Sequence, residues 1–113
     1  MMRVYKILTR AEWEAARAAG RYEGSRVDLD DGFIHLSTAA QAPETARRHF
    51  AGQAGLVVVE FEAGDLAPAL QWEPSRGGEL FPHLYAPLDP AKALTVREAP
   101  LGDDGVPMLG PLT

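Results

Sequence analysis

No cysteine occurs among the 113 residues. Its absence excludes disulfides, thiol nucleophiles, iron–sulfur clusters and thiolate zinc sites together. It also fits a reducing compartment. Long hydrophobic runs are missing as well. The longest, residues 56–59, is strand-sized, against ~20 residues for a membrane span. Arg3 and Lys6 lie near the start, but Thr9, Arg10 and Glu12 interrupt any signal-peptide core. Positive charge is scarce: 11 Lys and Arg face 16 Asp and Glu, for a net charge of -5. That balance argues against broad nucleic-acid binding, which needs a basic face to neutralise phosphates. It argues equally against polybasic attachment to anionic lipid. A soluble cytoplasmic protein with no membrane partner is expected.

What is present describes a globular chain. Apolar residues make up 46% and charged residues 24%, outside the disordered range. The length suits a single domain over residues 1–113. A domain of this size buries about 60–70% of its unfolded surface, enough for one core without staples.

Residues 3–8 read as a strand, with Val4 and Leu8 on one face and Tyr5 and Ile7 on the other. Thr9-Arg10-Ala11-Glu12 fits a capping box, so a helix is expected to Ala19, closed by Gly20. Trp13 is its packing anchor. Residues 21–32 show no period and are expected to be loop. Asp28, Asp30 and Asp31 invite a calcium reading, but an EF-hand needs Gly at its sixth position and Glu at its twelfth. Counted from Asp28 these are Phe33 and Ala39, so acidic turn residues are the better account.

Residues 33–37 alternate as a strand, with Phe33, His35 and Ser37 on one face and Ile34 and Leu36 on the other. Thr38 to Gln41 fits a second capping box, with a helix to about Ala51 whose first turn Pro43 distorts or begins. Arg47, Arg48 and His49 are expected on its solvated side. Residues 56–62 form the strongest strand, a central one that emerges into solvent by Glu62. Strands are further expected at residues 69–73, 80–86 and 94–98. Residues 74–79 form a loop in the position of a mobile lid. The tail from Asp103 carries too little apolar content to be firmly held. Short strands mixed irregularly with helices indicate an α+β fold rather than a doubly wound one.

Two segments echo each other. Phe33-Ile34-His35-Leu36-Ser37 and Phe81-Pro82-His83-Leu84-Tyr85 each place an aromatic, a histidine and a hydroxyl on one strand face. A buried histidine needs partners for both ring nitrogens, and a single one is usually structural. Two of the three histidines in matching contexts point instead to a shared site. A metal triad of His35, His83 and Glu73 finds no support in the spacing, so no metal is expected. A two-histidine phosphoesterase uses His-x-Ser/Thr twice; His35-Leu36-Ser37 fits and His83-Leu84-Tyr85 does not. A small-nucleotide pocket is the third reading, in which His and hydroxyls bind ribose and Tyr stacks. Glu73 and Arg76 flank these segments as ligand-contact candidates, although Arg76 could instead pair with Glu79 on the surface.

The order of motifs resembles a family of small bacterial proteins, domain-of-unknown-function family 952. The strings that carry the resemblance are Tyr5-Lys6-Ile7, Glu12-Trp13, residues 20–23, Asp31 to Ser37, Gln41, Trp72-Glu73 and Phe81 to Tyr85. The resemblance covers nearly the whole chain. It implies a fold similar to that of ADP-ribosyltransferases: a split β-sheet, here of about six short strands with two main helices, holding NAD in a cleft. By the same resemblance His35 binds ribose hydroxyls and Ser37 the nicotinamide amide. His83 or Tyr85 contacts the nicotinamide. NAD or an ADP-ribose-like nucleotide is thus the candidate ligand. His35 and His83 are the candidate catalytic residues, and Phe33, Ser37, Glu73, Arg76, Phe81 and Tyr85 the candidate ligand contacts. Many members of that superfamily use a carboxylate to offset an oxocarbenium-like charge. Glu73, Glu79 and Glu98 are candidates for it by residue type.

Overall fold

A computed structural model describes residues 2–112. The chain is α+β, with seven strands, three α-helices and short 3-10 turns among the described residues. Strand β1 spans Arg3–Thr9 and runs into helix α1, Arg10–Ala19. The capping box forms as the sequence requires. Thr9 Oγ1 accepts the Glu12 amide at 3.0 Å, and Glu12 Oε1 accepts the Thr9 amide at 3.1 Å. Gly20 closes the helix. Replacing Thr9 with Ala removes one of these bonds and is expected to lower stability by about 1 kcal/mol, read as a shift in the urea midpoint at unchanged slope.

Strand β4, Leu56–Glu62, pairs antiparallel with β1 along its whole length, from Arg3 opposite Glu62 to Thr9 opposite Leu56. Strand β7, Thr95–Ala99, lies on the other side of β4, so β4 is central as expected. Alternation sends Val57, Val59 and Phe61 into one core with Val4, Leu8 and Trp13 of α1. Leu56 and Val58 join Tyr5 and Ile7 in a second core on the opposite face. Helix α3, Ala42–His49, covers that second face through Ala42 and Ala46. Arg47 and Arg48 stay exposed and pair with Glu44.

Four expectations need correction. Residues 33–37 are not one strand. Strand β2, Ile34–His35, pairs with β6, Leu80–Leu84, whereas β3, Ser37–Thr38, pairs with β1. The chain thus leaves one sheet and joins the other at Leu36. The sheets are β3-β1-β4-β7 and β2-β6-β5, with β5 at Leu70–Pro74. Residues 21–32 are not all loop either, because Arg26–Asp31 forms helix α2. The second capping box does form, with Thr38 and Gln41 bonding reciprocally at 3.1 and 3.2 Å, but it closes a turn ahead of α3. Finally, the tail is held. Leu109 is buried in the second core, and the Arg97 guanidinium donates to the Pro111 carbonyl at 2.7 Å. Among the described residues no helix is long and apolar enough to cross a membrane.

Candidate functional site

The register between β2 and β6 builds the site. Ile34 lies opposite Leu84 and points into the first core, so His35 and His83, directly opposite each other, leave on the other face. The two rings stand edge to face with centroids 5.7 Å apart. Phe33 stacks on His83 at 4.0 Å and leans on His35 at 4.5 Å, while Tyr85 lies 5.3 Å from Phe33. The repeated aromatic–histidine pattern is therefore one cluster of four rings.

Each histidine is tied at Nδ1 by a carboxylate. Asp28 Oδ1 lies 2.6 Å from His35 Nδ1, and Glu73 Oε1 lies 2.8 Å from His83 Nδ1. A carboxylate only accepts, so each Nδ1 carries the proton. Asp31 Oδ2 faces His35 Nε2 at 2.9 Å. No comparable partner meets His83 Nε2 among the described residues. The Tyr85 hydroxyl also donates to Glu73 Oε1, at 2.7 Å. Those bonds from Tyr85 and His83 hold the Glu73 carboxyl below its ordinary range. A Glu73→Gln variant is expected to release the tautomer: in ring-nitrogen NMR, His83 of the wild type shows protonated Nδ1 and bare Nε2, and the variant shows a mixture. An unchanged pattern in the variant would remove Glu73 from this role.

Asp28 is the hub beneath. It is 1% exposed, and beyond His35 Nδ1 it accepts Lys6 Nζ at 2.8 Å, the Ser25 amide at 2.9 Å and the His35 amide at 3.1 Å. Burial alone would raise its carboxyl, but the bonds from His35 and Lys6 reverse that and hold it well below the usual range. Burial pulls the Lys6 ammonium down, and Asp28 opposes that pull. Space for the hub comes from Gly24, at φ 117°, where a Cβ would sit 2.8 Å from that of Asp28.

A cleft of about 530 Å³ opens where the sheets part. Of the eight residues expected at a site, five line it: His35, Ser37, Arg76, Phe81 and His83. Phe33, Glu73 and Tyr85 do not line it and instead buttress His83. Ser37 is turned to Thr45, with hydroxyls 3.1 Å apart. The Arg76 guanidinium lies over the Phe81 ring, 4.7 Å from its centroid. Glu79 and Glu98 are absent from the walls, and Glu98 pairs with Arg10. The carboxylates that do line the cleft are Asp28 and Asp31.

Reading the sequence missed Asp28, Asp31 and Lys6. Two signals were available. Ser25 and Asp28 have capping-box spacing, and Lys6 shares the inward face of β1 with Val4 and Leu8.

A family model described as "Protein of unknown function (DUF952)" matches residues 7–96. This chain belongs to the DUF952 family. The match covers most of the DUF952 chain, and it includes both histidine segments and the Asp28 hub. The X-ray crystal structure of Protein CC0527 from Caulobacter crescentus is 56% identical, with a TM-score of 0.93 over 96% of this chain and 95% of that one. A solution NMR structure of CC0527 is likewise 56% identical, with a TM-score of 0.87 over 97% and 95% of the two chains. The DUF952 chain has no match among curated proteins.

Proposed function

We propose that the cleft binds NAD or an ADP-ribose-like nucleotide, with His35 and His83 meeting the ribose end. The observation that carries this reading is the pair of histidines in register across β2 and β6, both lining one cleft with the Ser37 hydroxyl. The family resemblance to an ADP-ribosyltransferase-like fold points the same way. Ligand ribose hydroxyls would replace Asp31 at His35 Nε2. The side chain of Asp31 is 48% exposed, so it swings aside without breaking the core. It then stands as the one wall carboxylate free to face a developing positive charge. Glu73, committed to His83 and Tyr85, is the orienting group of that histidine. The chemistry in view is ADP-ribosyl transfer or NAD glycohydrolysis. A cleft that keeps the ligand without turnover is the non-catalytic form of the same reading.

One feature favours a second reading, a two-histidine phosphoesterase-like activity. His83 Nε2 has no partner among the described residues and His35 Nε2 lies against an acceptor, which is the asymmetry of a general base beside a general acid.

Titrating NAD, ADP-ribose and nicotinamide into isotopically labelled protein tests the proposal. The His35 and His83 ring signals are expected to move with NAD and ADP-ribose, and silence from both at millimolar ligand discards it. Nicotinamide release is then measured for the wild type and His35→Ala. Loss of about 100-fold or more in the variant fits acid–base catalysis. Release absent from both identifies the non-catalytic form, and release that survives the substitution removes His35 from the chemistry.

A further inference from the structure

The cationic groups that line the cleft are not equivalent. Lys6 is bound to Asp28 at 2.8 Å, and Arg26 to Asp30 at 3.3 Å. Arg76 forms no ion pair among the described residues, and the alternative surface pair with Glu79 does not form. Its guanidinium is instead held over Phe81, two residues before His83 on the same face of β6. Phe81 is itself buried, at 6% exposure.

The loop that carries Arg76 is tied by backbone hydrogen bonds. It joins β5 to β6 just beyond the Pro74–Leu80 pair. The Ser75 amide donates to the Glu79 carbonyl at 2.9 Å, and the Gly78 amide to the Ser75 carbonyl at 2.6 Å. Gly77, at φ 71°, supplies the left-handed step that closes this turn. The segment expected as a loop is thus a short, hydrogen-bonded turn.

We propose that Arg76 is the anion anchor of the cleft and takes a phosphate or diphosphate of the ligand. A guanidinium stacked on a ring keeps its in-plane N–H groups for a bidentate acceptor, and phosphate matches that fork. In a chain of net charge -5, an unpaired arginine on a cleft wall is also the local source of attraction for an anion. The ligand therefore lies with its phosphoryl end at the β5–β6 turn and its ribose end at the two histidines. This rests on the nucleotide reading above and adds a direction and a charge requirement: phosphorylated nucleotides bind, and neutral nucleosides bind poorly.

Calorimetric titration of the full chain with ADP-ribose, adenosine and inorganic pyrophosphate tests this, using wild type, Arg76→Ala and Arg76→Lys. Thermal melts of the variants should lie close to the wild type, because the Arg76 side chain makes no hydrogen bond or ion pair among the described residues, and the bond its backbone carbonyl accepts from the Glu79 amide survives the substitution. Arg76→Ala is expected to weaken ADP-ribose by about 10- to 100-fold, the worth of a bond to a charged group. Arg76→Lys should recover only part of that loss, since the fork is gone. Adenosine should bind weakly and equally to all three proteins. ADP-ribose affinity unchanged in Arg76→Ala overturns the anchor and leaves the nucleotide reading standing. Pyrophosphate that binds through Arg76 while ADP-ribose does not bind sinks the nucleotide reading and keeps the anchor. No binding of either probe to the wild type overturns both.

Discussion

Replacing Asp28 with Asn is expected to cost about 3–5 kcal/mol of folding stability, the range for breaking one side of a buried ion pair. The substitution keeps shape and volume. It removes the charge that offsets Lys6, which is 5% exposed, and leaves an ammonium buried without its counter-ion. It also turns one carboxylate oxygen into a donor that faces two donors, either the His35 amide and ring Nδ1 at the Oδ1 position or the Ser25 amide and the Lys6 ammonium at the Oδ2 position. A 1 kcal/mol loss shifts Tm by about 4–8 °C in a domain near this size, so the melt should fall by more than 10 °C. Urea titration of the single variants and of Lys6→Met with Asp28→Asn closes a double-mutant cycle. A loss below about 1 kcal/mol for Asp28→Asn would show that the hub does not hold the fold.

The acid side of the stability profile should change with it. The Asp28 carboxyl is held below its unfolded value of ~3.9. A depressed carboxyl adds stability that is fully present above the unfolded value and is lost as pH falls through the folded one. In the wild type that contribution should fade only below about pH 4. The Asn variant should lack that part of the acid limb and lie uniformly lower at neutral pH.

Local rules made much of this fold legible. The α1 capping box, the Gly20 stop and the apolar β4 depend on neighbours within a few residues, and each formed where the sequence placed it. The break at Leu36 was not legible. Strands of two residues have no period of their own, and their partners, residues 83–84 and 4–5, lie far away in sequence. Helix α2 was hidden for a related reason. Its acidic residues read as turn formers, and what fixes Asp28 is a lysine 22 positions earlier. The candidate site divides in the same way. The histidine strings were visible because alternation is local, and four of the six residues drawn from them share the cleft. The carboxylates that orient those histidines were half seen. Glu73 lies in the paired strand next to His83 and was named, although as a ligand contact. Asp28 and Asp31 come from the segment that read as a loop.

The apolar partners of those histidines decide whether the site holds its shape, and Leu84 is the most exacting of them. It is 2% exposed, lies opposite both Ile34 and Leu70, and sits in the core with Phe61. Leu84→Ala is expected to cost about 2–5 kcal/mol, the lost transfer energy plus the cavity left between three strands. Leu84→Met conserves most of the volume and should cost under about 1.5 kcal/mol. Because Leu84 alternates with His83, the cavity opens directly behind the ring cluster. The Ala variant should therefore lose more than stability. The His83 and Phe33 rings lose their backing, and their ring signals should broaden in the folded protein at temperatures well below its melt. Thr9→Ala, which weakens the fold at a distance, should leave those signals sharp. Equal sharpness in all variants, or a cost for Leu84→Ala below about 1 kcal/mol, would mean that the register of β2 and β6 is set by something other than this core.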